Sequence, residues 1–162
     1  MTIHKQIYIQ YGDNEAEVDE DIAPIILECW KNDIETVMSC QNNVPQGFVW
    51  ICFMSFFDAS KFMNLVANKY QKNPKSIYNR VLGNWVDDSI EQKLWRYSTN
   101  PIDLNLSQTP DEDDVYLNET HEGDPDFIFD CSIRFPCTDM KKVLSQLKKA
   151  SKKINLRSCI VD

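Results

Sequence analysis

Ser39 and Cys40 sit in the run TVMSCQ, Thr36 to Gln41, where an apolar stretch gives way to the polar turn NNVPQG. A cysteine attacks as its thiolate, so Cys40 needs a base or a positive neighbour to lose its proton. The chain has two histidines that could serve, His4 and His121. Ser39, Cys40 and His121 therefore form a weak catalytic set. The plainer reading of the same residues is a thiol packed at the end of a strand, because a free cysteine behaves as a small hydrophobe.

Other chemistries find less. There is no C-x-x-C or H-E-x-x-H, and the interval from Cys131 to Cys137 is not a zinc spacing, so no metal is expected. The acidic run Asp111 to Asp114 lacks the spaced ligands and the glycine of a calcium loop. With four glycines and no G-x-G-x-x-G, Walker or G-x-S-x-G pattern, no cofactor is expected. A binding role draws on different residues. His4, Gln6, Tyr8 and Gln10 form the polar side of an alternating N-terminal segment, and Asp130, Ser132 and Arg134 form that of a later one. Strands in one sheet would present both sets on its open face, beside Trp95 and Tyr97, as a platform for a protein, a small ligand or stacked bases.

The elements that must position these residues follow from periodicity. Ile3 to Gln10 alternates and predicts a strand. Ile22, Ile25, Ile26, Cys29 and Trp30 form the stripe of a helix that Asp19 or Asp21 can cap, with Pro24 confined to its first turn and Asn32 or Asp33 at its stop. Ile34 to Ser39 predicts a short strand and Asn42 to Gly47 a turn. Phe48 to Met54 is apolar on both alternating sets, the pattern of a central strand. Asp58 caps a second helix with Ala59, Phe62, Met63, Val66 and Tyr70 inward. Lys75 to Leu82 reads as a short helix, and Lys93 to Ser98 as a strand. Phe127 to Phe135 alternates again. Thr138 then caps a third helix whose stripe is Met140, Val143, Leu144 and Leu147, and a last strand falls near Ser158 to Val161. The sum is an α+β fold: a two-layer sandwich, mostly antiparallel sheet with helices on one face, in a ferredoxin-like order of βαββα then ββα. Residues 1–162 read as a single domain with an irregular acidic insertion around 99–126.

Composition bounds the partners. A net charge of −8 opposes general nucleic-acid binding. Lys141, Lys142, Lys148, Lys149, Lys152 and Lys153 nevertheless cluster on the third helix and make an RNA contact there conceivable. The N-terminal segment has no continuous apolar core of a signal peptide, and the longest apolar run, Phe48 to Phe57, is half of a membrane span. An intracellular, cytoplasmic protein with reduced thiols and no membrane contact is expected. A protein partner is the first expectation, and self-association through the doubly apolar Phe48 to Met54 segment is a further one.

The stretch DEDIAPIILECWKNDIETVMSCQNN, then GFVWICF and the later IRFPCTD, resembles a loosely defined set of small uncharacterised α+β proteins of bacteria, phages and large DNA viruses. That resemblance covers about half the chain and brings no function with it; the absence of catalytic motifs is what points to a non-catalytic interaction protein, with a viral or host-directed accessory role as its setting. Asp19 to Cys40 is also similar to the third wybutosine-synthesis methyltransferase, with Thr36, Ser39 and Cys40 corresponding to the end of its Thr-x-Ser-Ser-Cys strand. The likeness implies a small RNA-modifying enzyme that uses S-adenosylmethionine, but the family's next residues, Ser-Gly-Arg, are replaced here by Gln41, Asn42 and Asn43.

Overall fold

A computed structural model describes residues 4–42, 46–67, 76–82, 94–103 and 127–158, with the backbone alone for 82, 100–103, 127–130 and 154–158. The chain opens with a hairpin of β1 (Gln6–Tyr11) and β2 (Asn14–Asp19), which turns at Gly12, where φ is +60°. Helix α1 (Ala23–Lys31) follows, then strands β3 (Thr36–Gln41) and β4 (Phe48–Phe53) and helix α2 (Phe56–Val66). A 3₁₀ turn at Tyr78–Arg80 leads to β5 (Val81–Leu82), β6 (Trp95–Asp103) and β7 (Phe127–Pro136), and a 3₁₀ turn at Cys137–Asp139 leads into α3 (Met140–Ser158).

The protein is an α+β sandwich. Five strands form one sheet in the order β3-β4-β7-β6-β5, antiparallel except for the short parallel pair β5 and β6. Val49, Ile51 and Phe53 of β4, Cys131, Ile133 and Phe135 of β7, and Trp95 of β6 join one buried cluster with the stripes of α1, α2 and α3. All three helices thus cover the same side of the sheet. At the centre Trp95 stacks on Phe135 with centroids 4.6 Å apart, and Phe62 of α2 lies 5.1 Å from Phe53. Such pairs add about 0.5–1.5 kcal/mol each beyond their buried area. The Trp95 indole N–H donates to Asp139 Oδ2 at 2.8 Å, and Arg80 grips the same carboxylate with two bonds of 2.8 and 3.0 Å. This fixes the entry to α3 against the far end of the sheet.

Most elements lie where periodicity places them, and the departures have physical reasons. The ferredoxin-like order is not confirmed, because among the described residues β1 pairs with β2 alone, a strand drawn from what reads in sequence as an acidic connection. Glu15 and Glu17 alternate with Ala16 and Val18, and that short amphipathic repeat is enough for a strand whose inner face rests on α1. Neither Asp19 nor Asp21 caps α1, whose N-cap position is Ile22. Their carboxylates accept instead from the backbone and side-chain N–H groups of Gln41, at 2.9 and 2.7 Å. The stop does involve Asp33, at φ +50°. Ser55, not Asp58, is the N-cap of α2, and its hydroxyl accepts from the Asp58 N–H. Asp58 then accepts from the Glu35 N–H at 3.0 Å, which ties α2 to the start of β3. The 75–82 helix reduces to the 3₁₀ turn and β5. Strand β6 extends to Asp103, into the segment read as insertion, and the rest of that segment lies outside the described residues. Helix α3 runs through Ser158, where a last strand is expected to begin, and 159–161 lie outside the described residues. The apolar pattern on both sides of β4 comes from burial between β3 and β7 and on both faces: Phe48 and Cys52 are buried on the side away from the helices.

Helices α1 and α3 are joined by a buried carboxylate. Glu28 accepts from Lys31 Nζ at 2.8 Å and from the Ser151 hydroxyl at 2.7 Å. Burial alone would raise this carboxyl, but the bonds from Lys31 and Ser151 outweigh it and hold it below the ordinary carboxylate range. A lowered folded-state value means that the stabilisation is complete above the unfolded carboxyl's pKa and is lost as pH falls through the folded one. Glu28→Gln keeps the shape and a neutral bond to Ser151. It is expected to cost about 1 kcal/mol at pH 7, since Lys31 reaches water. In urea melts the gap between wild type and variant should close as pH drops toward 3, and a gap that persists there would refute this role.

Candidate functional site

Strand β3 is an edge of the five-stranded sheet, and β2 is an edge of the hairpin. The two lie side by side without pairing. Asn42 N–H bonds to the Phe48 carbonyl at 2.7 Å, so on β3 the backbone groups of Asn42, Cys40 and Met38 face β4. Those of Gln41 and Ser39 consequently face outward, and the Gln41 N–H is the group that meets Asp19. The same parity applies to β2. The Glu20 N–H bonds to the Lys5 carbonyl, so Val18, Ala16 and Asn14 face β1, while the backbone groups of Glu17 and Glu15 point toward β3.

The strands are therefore joined at their C-terminal ends, through Asp19 and Gln41, and form no ladder with each other. Between them runs an open groove of about 320 Å³, walled by Asn14–Val18 and by Thr36–Ser39, with Ile26 and Trp30 of α1 and Trp50 of β4 also in its lining. Trp30 Nε1 donates to the Thr36 hydroxyl at 3.0 Å, which pins α1 to the β3 wall. Val37 and Met38, each 52% exposed, stand on the rim. Glu15 and Glu17 line the groove with no lysine or arginine, and Asp13, Glu20, Asp21 and Glu35 are exposed in the stretches of chain that flank its two walls. The Tyr8 hydroxyl donates to the Glu15 carboxylate, and that bond is the main reason its own pKa is raised.

The residues singled out in the sequence are not brought together as expected. His4, Gln6, Tyr8 and Gln10 lie on or just before β1, outside the sheet that holds Asp130 and Arg134. Arg134 is flanked in register by Trp50 and Arg96 on the side away from the helices. Ser132 on that face is only 4% exposed, so it is no wet platform residue. Trp95 is fully buried toward the helices, and Tyr97 borders a second, apolar groove of about 390 Å³ between α2 and β6 with Phe56, Ala59 and Met63. Of Asp130 only the backbone is described, and His121 lies outside the described residues.

The catalytic set is divided too. Strand alternation puts Ser39 and Gln41 on one side of β3, and Cys40 on the other, beside Trp50. Desolvation, then the Asp19 charge, raises the Cys40 thiol above its ordinary value. Among the described residues no group of three or more His, Cys, Asp or Glu side chains is placed to hold a metal ion, and no helix is long and apolar enough to cross a membrane. What sequence reading missed is the groove itself. Its signal was the alternation of Glu15 and Glu17 with Ala16 and Val18, hidden inside an acidic run.

A raised thiol has little thiolate at neutral pH. Cys40 should be alkylated by iodoacetamide more slowly than free cysteine at pH 7.5, and catch up only at alkaline pH. Site-resolved mass spectrometry reads this directly, and fast labelling at pH 7.5 would restore Cys40 as a nucleophile.

No protein-family model matches the chain, and no solved structure matches it. These findings show no link to a methyltransferase. The chain is similar to a protein of Acanthamoeba polyphaga mimivirus, uncharacterized protein R428, at 28% identity over 148 residues. That alignment covers 88% of this chain and 66% of the viral protein, so the chain spans just under two thirds of its relative's length.

Proposed function

We propose that this is a non-catalytic interaction protein that accepts an extended, basic segment of a partner protein between β2 and β3. The observation that carries the reading is the pair of strand edges facing one groove, each with outward backbone groups that take part in neither ladder. An added strand would pair with Glu15 and Glu17 on one side and Ser39 on the other, the edge-addition mode of peptide recognition. An exposed edge is normally guarded by lysine, proline or an inward charge. The sequence TVMSCQ of β3 has none of these, and its one irregularity is the register shift between Thr36 and Met38. The acidic lining favours lysine and arginine on the incoming segment and disfavours acidic ones. A viral, host-directed accessory role in the cytoplasm fits such a module, and the likeness to a mimivirus protein supports its viral part alone.

The alternative of an RNA-modifying, S-adenosylmethionine-dependent enzyme at Ser39 and Cys40 gains little from side chains on opposite faces of one strand. Self-association would draw on the apolar groove near Tyr97 and the exposed Phe56 and Phe57, and not on β4, which is enclosed. RNA contact would fall to the exposed lysines of α3.

A fluorescent ten-residue peptide alternating valine and lysine is expected to bind and to slow amide exchange at Ser39, Glu15 and Glu17, while its valine–glutamate counterpart does not. Ser39→Pro removes an N–H that the fold does not use, so it should weaken binding at least tenfold and keep Tm within about 2 °C. Equal binding of both peptides, or full binding by Ser39→Pro, would sink the reading. A rise in Tm with S-adenosylmethionine alone would move the function to the enzyme alternative.

A further inference from the structure

At the closed end of the groove lies a small polar pocket of about 240 Å³, lined by His4, Lys5, Asp19, Glu20, Asp21 and Gln41. We infer that it takes the guanidinium group of an arginine side chain. The inference rests on the interaction reading for its source, an arginine of the inserted segment, but the pocket's chemistry stands on its own residues.

Gln41 fixes the polarity of the site. Its side-chain N–H donates to Asp21 Oδ2, and a carboxylate only accepts, so the amide orientation is set and Oε1 is the atom left over. Gln41 is 8% exposed, and its Oε1 is buried with no hydrogen-bond partner. His4 Nε2, in the same pocket, is likewise buried without one. Asp19, 6% exposed, spends one carboxylate oxygen on the Gln41 backbone N–H. A buried acceptor with no donor costs about 1–3 kcal/mol, so the pocket favours a ligand rich in N–H groups.

Charge points the same way. Lys5 and Glu20 pair with each other at 2.8 Å, which leaves the carboxylates of Asp19 and Asp21 as the net charge facing the pocket. The acceptors come from three separate stretches of chain, β2, its exit and the end of β3, and all line the one pocket. Five donors in a flat fork meet such a set better than the compact ammonium of lysine. The volume is below the roughly 300 Å³ at which pockets for small-molecule ligands begin, and it suits one side-chain head and no cofactor.

The probe is N-ethylguanidinium chloride, titrated into the isotope-labelled full chain and followed by NMR at the Gln41 side-chain amide and the His4 ring. A saturable shift at both is expected, absent with the neutral N-ethylurea and with sodium chloride at the same concentration. Asp21→Asn keeps an acceptor for Gln41 but removes a charge on an exposed residue, so it should leave the spectrum of the fold intact and weaken binding about tenfold. Equal shifts from N-ethylurea, or unchanged binding in Asp21→Asn, would overturn the proposal. Because this probe inserts no strand, its failure leaves the Ser39→Pro experiment untouched, and loss of the strand reading leaves the pocket to be judged by this titration alone.

Discussion

Everything distinctive about this molecule depends on where one buried carboxylate points. Asp19 ends β2, and its side chain reaches the outward N–H of Gln41 on β3. Had the backbone of β2 bonded there instead, hairpin and sheet would have merged into one continuous surface. A side chain in place of a backbone carbonyl joins the two strands there without a ladder, and the groove opens beside that contact. A charge-assisted bond of this kind is worth about 1.5–3 kcal/mol, enough to fix the contact in a protein whose whole stability is of order ten.

Around that contact the rest is conventional. One face of the sheet carries the helices over an aromatic centre of Phe53, Phe62, Trp95 and Phe135. The polar groups buried at the margins hold elements together. Asp58 orders the start of β3, Asp139 gathers Arg80 and Trp95, and Glu28 joins two helices. Chemistry-bearing residues spent on scaffolding in this way are not available for catalysis. Of the buried acceptors without a donor among the described residues, Gln41 Oε1 lies at the polar pocket that Asp19 and Asp21 also line, and Asn32 Oδ1 lies apart, at the end of α1.

The sequence carried the layers well and the site poorly, for one reason. Periodicity reports which side of an element is buried, and so Ile22 to Trp30, Phe48 to Phe53 and Val143 to Leu147 were legible at once. It does not report which strand lies next to which. The supposed platform joined His4 to Gln10 with Asp130 to Arg134 on the assumption of a shared sheet, and the pairing of β1 with β2 removes it. Asp19 and Asp21 sit just before a helix, where capping is the common use of aspartate. Only the tertiary arrangement, which brings in a glutamine from about twenty residues downstream, redirects them. Trp95 looked amphipathic on a short strand, but its single N–H is satisfied by Asp139, and that leaves the ring free to be buried whole.

The order of the strands also says something about how the protein is made. The units β1-β2-α1 and β3-β4-α2 are each continuous in sequence and can form from local contacts, whereas the second partner of β4 is β7, with Phe53 opposite Cys131. About 80 residues separate them. At ribosomal rates of roughly 5–20 residues per second, the most apolar strand of the chain waits about 4–16 s on the nascent protein with one edge unpaired. Helix α2, which emerges directly after β4, covers its inner face during that interval, and its outer face and open edge are left as the chain's most aggregation-prone surface until synthesis reaches β7.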